Sequence, residues 1–220
     1  MSISAKDVQE LRQISGAGMM DCKKALNECD GDIEKAKTWL REKGMASAAK
    51  RSGRIAAEGA VSSYIHMGGK IGVLVEVNCE TDFVAKGEKF QDLCKEICLQ
   101  ICSAAPRWIR REEVPADVIE EEKQIAIKQM EDSGKPPEIL AKIAEGKLGK
   151  FYEENCLLEQ PFVKEPKTKV EDLIKAFSGT VGEKIDVRRF ERYQLGEGIE
   201  KRQDDFVAEV AQAVADAQGN

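Results

Sequence analysis

Two β-prone runs, Ala60–His66 and Ile71–Val77, flank Met67-Gly68-Gly69-Lys70 in a sequence whose other apolar residues mostly recur at three- and four-residue spacing. Such runs around a glycine-containing turn read as an antiparallel hairpin, because glycine reaches the positive φ that tight reversals need. Val73, Val75 and Val77 alternate with Leu74 and Glu76, so one sheet face is apolar and the other mixed. A later strand within Gly182–Leu195, with Ile185, Val187 and Phe190 to one side, is expected to join the hairpin. A sheet this small buries its apolar face under helices. The expected fold is α+β: an antiparallel sheet of about three strands packed with helices.

Helical spacing organises the rest. Residues 1–44 read as an N-terminal three-helix unit. Ser4 and Asp7 have capping-box spacing, and Val8, Leu11 and Ile14 share a face. After Gly16-Ala17-Gly18, a second helix carries Met19, Cys22, Ala25 and Leu26; after Asp30-Gly31-Asp32, a third carries Ile33, Ala36, Trp39 and Leu40, with Gly44 as its stop. Residues 45–59 are rich in Ala, Ser, Lys and Arg and read as a linker. The α+β core spans 60–195, including a long helix with Phe90, Leu93, Cys94, Ile97, Cys98, Ile101 and Cys102 on one face. Two further helices follow, an irregular stretch at 156–168, and a short helix from Lys169 to Phe177. Residues 196–220 read as a C-terminal helical module, an amphipathic helix with Phe206, Val207, Val210, Ala211 and Val214.

Composition removes several function classes. With 34 basic and 40 acidic residues the net charge is −6, so the totals supply no phosphate-neutralising excess for bulk nucleic-acid binding. No apolar run reaches the ~20 residues of a membrane span, and Met1–Asp7 has no signal-peptide core. Seven cysteines, an odd number in a chain long enough to bury a core, read as reduced thiols of a cytoplasmic protein. A single histidine, His66, excludes most His-based metal sites and weakens any Cys–His nucleophile scheme. No catalytic residue, metal ligand or cofactor site is therefore assigned. Cys94, Cys98 and Cys102 lack the spacing of a zinc site and read as small core residues. Gly16-Ala17-Gly18 has neither a preceding strand nor a Gly-Lys-Ser/Thr ending, so it reads as an inter-helix turn.

Two places point to contact with another molecule. Met19 and Met20 are about 100° apart on a helix, so at most one enters the core. Thr81-Asp82-Phe83-Val84 falls where a strand hands over to a helix. In one reading Thr81 or Asp82 caps the helix and Phe83 plugs the core. In the other the acid and the ring form a wedge that enters a partner.

Leu11–Leu26 around Ser15-Gly16-Ala17-Gly18-Met19-Met20-Asp21-Cys22-Lys23-Lys24, and Glu76–Lys86 around Asn78-Cys79-Glu80-Thr81-Asp82-Phe83-Val84, resemble the two signatures of the translation elongation factor Ts family. Glu159–Lys164 and Val187–Phe190 also fit, in order along nearly the whole chain. The resemblance implies a non-enzymatic guanine-nucleotide exchange factor for elongation factor Tu, with a ubiquitin-associated-like N-terminal unit. Met19, Met20 and Lys23 then become contacts to the GTPase domain, and Thr81, Asp82, Phe83 and Val84 the intruding loop. Asp82 and Phe83 would disturb the partner's magnesium and phosphate site, while Phe206 and Val210 would touch another of its domains. Ser15 stands where many members carry threonine. Longer members resemble two core subdomains in tandem, whereas this chain carries one hairpin and one Asp-Phe tip, so a homodimer is implied. Two readings from other classes stand beside this one: a helical binding adaptor that leaves nucleotide release unchanged, and a thiol enzyme.

Overall fold

The computed structural model describes residues 3–129 and 137–199. The N-terminal unit consists of α1 (Ala5–Ser15), α2 (Met19–Glu28) and α3 (Ile33–Arg51). Its capping box is formed: Asp7 N donates to Ser4 Oγ at 3.2 Å, and Ser4 N donates to Asp7 Oδ2 at 3.0 Å. Leu11, Cys22, Ala25, Leu26 and Ala36 are fully buried between the helices. Ile14 and Met19 were expected with them and are not: they are 49% and 52% exposed. Helical side chains lean toward the N-terminus, so Met19, the first residue of α2, overhangs the turn instead of entering the helix contact.

The hairpin forms from β1 (Glu58–His66) and β2 (Ile71–Cys79), in register from Glu58 opposite Cys79 to His66 opposite Ile71. The chain continues through α4 (Asp82–Ala85), α5 (Glu88–Ala104), α6 (Ala116–Lys128) and α7 (Pro137–Asn155). Segment 156–168, expected to be irregular, contains a small hairpin of β3 (Pro161–Phe162) and β4 (Glu165–Lys169). It is fastened by two buried amides. Gln100 Nε2 donates to Gln160 Oε1 at 3.1 Å and Gln100 Oε1 accepts from Val163 N at 2.8 Å; Gln160 Nε2 donates to the carbonyls of Ala104 and Glu154. The short helix expected to end at Phe177 is α8 (Val170–Val181), closed by Gly182 in the left-handed conformation.

β5 (Asp186–Gln194) pairs antiparallel with β2, giving the three-stranded order β1-β2-β5. A register shift between Glu76 and Val77 leaves Arg188 as an extra residue on β5. That bulge puts Val187 and Phe190 on one face although an odd spacing separates them, as bulges do. Val73, Val75 and Val77 pack with α5 and α8 through Phe90, Leu93, Ile97, Ile101, Val170 and Ile174. The opposite face of the sheet carries Val61, Ile65, Leu74 and Tyr193, all exposed.

Gly44 does not end the third helix; α3 continues to Arg51 and packs along α8. The two helices cross at Gly44 and Gly179, where a Cβ on Gly179 would lie 2.5 Å from Gly44 Cα. Here a glycine pair permits close approach inside a helix instead of stopping one. Arg51 completes the contact by donating to Ser178 O at 3.2 Å.

Candidate functional site

Strand β2 is the central strand of the sheet, paired on both sides, so its end at Cys79 is a fixed point. Three residues later the chain starts α4, and Thr81 is the cap: its backbone is extended and its Oγ1 accepts from Val84 N at 3.4 Å. The inner side of this short helix is anchored by Ala85, buried, and Val84, packed against the core. Its C-terminal end is closed by Gln91 Nε2 donating to Ala85 O at 2.7 Å. The outer side presents Phe83, 84% exposed. Of the two readings of this residue, the core plug is wrong: the ring stands in solvent on a helix whose neighbours are fixed.

Asp82 lies beside it, its Oδ2 accepting from Lys86 Nζ at 2.6 Å. The Lys86 ammonium, by hydrogen bond and by charge, lowers the Asp82 pKa, and Asp82 raises that of Lys86 in return. The tip therefore shows a carboxylate and a phenyl ring side by side at neutral pH. Both partners of the ion pair are well exposed, at 63% and 78%. Exposed pairs of this kind contribute about 0–1 kcal/mol, so the carboxylate is cheaply redirected to other groups.

Two acids that the sequence reading did not single out hold the base of the tip. Glu183 accepts from Glu80 N and Thr81 N, each at 3.1 Å, and from Thr81 Oγ1 at 2.6 Å. Glu80 reaches back to accept from Lys184 N at 2.6 Å and from Arg54 Nη1 at 3.3 Å. The Lys184 amide, with the Arg54 guanidinium second, lowers the Glu80 pKa. Glu80 lies within the signature around Thr81, but nothing in the spacing ties it to Glu183, about a hundred residues on.

In the N-terminal unit, Met20 is 76% exposed, and Lys23 is exposed on the next turn of α2 while Cys22, Ala25 and Leu26 face inward. Neither methionine enters the core, within the limit of at most one that the helix spacing sets. Gly16-Ala17-Gly18 is the inter-helix turn foreseen, with Gly16 as the left-handed cap of α1. A Cβ on Gly16 would come 2.8 Å from Lys89 Nζ, so this turn lies against the first turn of α5, just beyond the tip. Phe206 and Val210 fall outside the described residues.

The cysteines offer no reactive thiol in the core. Burial pushes the pKa of Cys94 and Cys98 up to about 11, and burial first, then Glu159, does the same at Cys156. A buried thiol held protonated at neutral pH offers little of the thiolate that attacks electrophiles or ligates metals. Among the described residues no group of three or more His, Cys, Asp or Glu side chains converges on a possible metal position. No described helix is long and apolar enough to cross a membrane.

Comparison with known proteins shows the family. The family model for elongation factor TS matches residues 19–197, most of the chain, including the second signature whole and the first from Met19 on. The chain is similar to elongation factor Ts of Desulforamulus reducens, 62% identical over 209 residues that cover 95% of this chain and 96% of that protein. Elongation factor Ts of Anaeromyxobacter sp. strain K is 61% identical over 211 residues, 96% of each chain. That of Geobacter sulfurreducens is 56% identical over 213 residues, 97% of this chain and 99% of the relative. With the exposed tip at the end of β2, the α+β core and these near full-length likenesses together, the chain belongs to the elongation factor Ts family of translation elongation factors.

Proposed function

We propose that the protein binds elongation factor Tu and accelerates GDP release by inserting Asp82 and Phe83 between elements that surround the GTPase's magnesium and phosphates. The observation that carries this reading is Phe83, 84% exposed on a helix fixed at both ends. Nucleotide affinity in such GTPases rests largely on contacts among phosphates, metal and backbone. A factor that prefers the nucleotide-free form must weaken nucleotide binding by the same ratio. A thousandfold loosening needs ~4 kcal/mol of coupling, and burying a phenyl ring contributes ~1.5–3 kcal/mol. The ring is thus the largest single source of the preference, and a carboxylate beside it adds repulsion toward phosphate. Met19, Met20 and Lys23, with Phe206 and Val210, supply affinity that does not discriminate between nucleotide states.

Stopped-flow release of fluorescent GDP from elongation factor Tu tests the assignment. Phe83→Ala is expected to slow stimulated release at least as much as Asp82→Ala. Unchanged rates in both variants would remove the wedge. Binding to the GTPase with no acceleration by the unaltered protein would favour the adaptor reading instead.

We also propose a homodimer joined through the outer face of the sheet. Val61, Ile65, Leu74 and Tyr193 form an apolar surface there that nothing in the described chain covers, and such patches mark interaction sites. Sedimentation should show twice the chain mass, reduced to one by Leu74→Glu; a monomer at every concentration rejects it.

A further inference from the structure

We infer that Glu183 is a positioning residue for exchange, setting the pose of the Asp82–Phe83 tip through Thr81; this rests on the tip being the element that acts on the GTPase. A four-residue helix has no stability of its own, because nucleation costs more than one turn returns. Its pose must come from outside, and three donors at its start converge on one carboxylate. Glu183 takes the Glu80 N–H, the Thr81 N–H and the Thr81 hydroxyl, at 3.1, 3.1 and 2.6 Å. Thr81 Oγ1 is in turn the cap acceptor for Val84 N, so the hydrogen that Glu183 takes leaves the lone pairs of Thr81 aimed at α4.

Glu183 is itself held. It follows Gly182, which closes α8 in the left-handed conformation at φ 79°. Ser178 Oγ donates to Glu183 O at 2.5 Å, and Arg51 at the end of α3 donates to both Ser178 O and Ser178 Oγ. Glu80 grips the neighbouring Lys184 N–H at 2.6 Å. The loops 80–81 and 183–184 thus clasp each other reciprocally, each offering its carboxylate to the other's amides. The clasp also joins the tip to the end of the N-terminal unit's third helix. A tip already in its bound pose loses little freedom on docking, and that saving appears where the ring is driven home, not in the first encounter.

The experiment measures stimulated GDP release against factor concentration, using the full chain and the GDP-loaded GTPase of the preceding test. Glu183→Ala should lower the maximal rate at least fivefold while the half-saturating concentration changes less than twofold. Glu183→Gln should restore most of the rate, since its amide oxygen still accepts the two N–H groups and its NH2 can face Thr81 Oγ1. Amide hydrogen exchange at Glu80, Thr81 and Val84 should quicken in Glu183→Ala and stay slow in Glu183→Gln. Thr81→Val, which removes the hydroxyl arm to Glu183 together with the cap on Val84 N, covers the case in which Glu183→Ala folds poorly, and should lower the maximal rate in the same way. Rates within twofold of the unaltered protein for Glu183→Ala and Thr81→Val, with Phe83→Ala slowed, overturn the inference and leave the wedge standing. A loss not rescued by glutamine and accompanied by a lowered Tm marks a merely structural residue and overturns it too. Unchanged release in both Phe83→Ala and Asp82→Ala overturns the wedge, and the exchange role of Glu183 with it.

Discussion

Replacing either glycine at the α3–α8 crossing by alanine adds one methyl group to the same contact, yet the two changes should have opposite signs. A Cβ on Gly44 meets Gly179 Cα at 3.5 Å, an ordinary contact. Gly44→Ala therefore keeps the crossing and gains the helix-interior advantage of alanine over glycine, ~0.5–1 kcal/mol. A Cβ on Gly179 would lie 2.5 Å from Gly44 Cα, 2.9 Å from its carbonyl carbon and 3.0 Å from its oxygen. Those are backbone atoms, so the helices must part. Overpacking of this kind costs ~1–3 kcal/mol, of which the better propensity of alanine returns a part. The two variants should differ by roughly 1–3 kcal/mol, and at ~2–4 °C per kcal/mol for a chain of this size that is several degrees in Tm. Thermal and urea unfolding followed by circular dichroism would read it. Parting the helices also draws Arg51 from Ser178, so Gly179→Ala should lower stimulated GDP release and Gly44→Ala should not. Equal shifts of the same sign in the two variants would refute the claim that this crossing sets how the N-terminal unit meets the core.

Two further outcomes follow from the charges and thiols. The Arg188 and Arg189 guanidinium groups, both bonded to Glu76, lower its pKa from 4.5 to about 2. A carboxyl depressed on folding adds stability that is complete above the unfolded pKa and lost as pH falls through the folded one. Tm should therefore fall less steeply between pH 4.5 and 2 in Glu76→Gln than in the unaltered protein; parallel curves would reject the pairing. Iodoacetamide at neutral pH should label the folded chain at Cys29 at most, the other six cysteines being buried, and mass spectrometry should find them modified only after denaturation. Rapid modification of Cys94 or Cys98 in the folded state, with loss of exchange activity, would revive the thiol reading.

What the sequence displayed was what local spacing decides. The hairpin, the buried stripe of α5 from Phe90 to Cys102 and the Ser4–Asp7 cap each depend on residues within a turn or two of one another. The misses share a cause in contacts across long separations. The β3–β4 hairpin contains Pro161 and Pro166 and reads as irregular; it is held by the amide pair Gln100 and Gln160, sixty residues apart. Gly44 reads locally as a stop, and only its encounter with Gly179 shows why a glycine stands inside α3. Val187 and Phe190 share a face only because Arg188 bulges against β2. At the site, the Thr81 cap was legible and the direction of Phe83 was not, since that follows from how Ala85 and Val84 dock on the core. The clasp between Glu80 and Glu183 leaves no mark in either neighbourhood.

That clasp also answers an energetic question that the wedge raises. Burying one phenyl ring contributes ~1.5–3 kcal/mol, while fixing the backbone of a single residue costs ~1–2 kcal/mol. Were Asp82–Ala85 to fold only on meeting the GTPase, ordering these four residues would cost ~4–8 kcal/mol, more than the ring returns, and the tip would have nothing left with which to favour the nucleotide-free state. The cost is instead met during folding, where Ala85 and Val84 pack on the core, Gln91 closes one end of α4 and Glu183 fixes the other. In the proposed exchange role the preference for the nucleotide-free state comes from difference in binding alone. For such a protein the stiffness of four residues decides whether an exposed phenyl ring can act as a wedge at all.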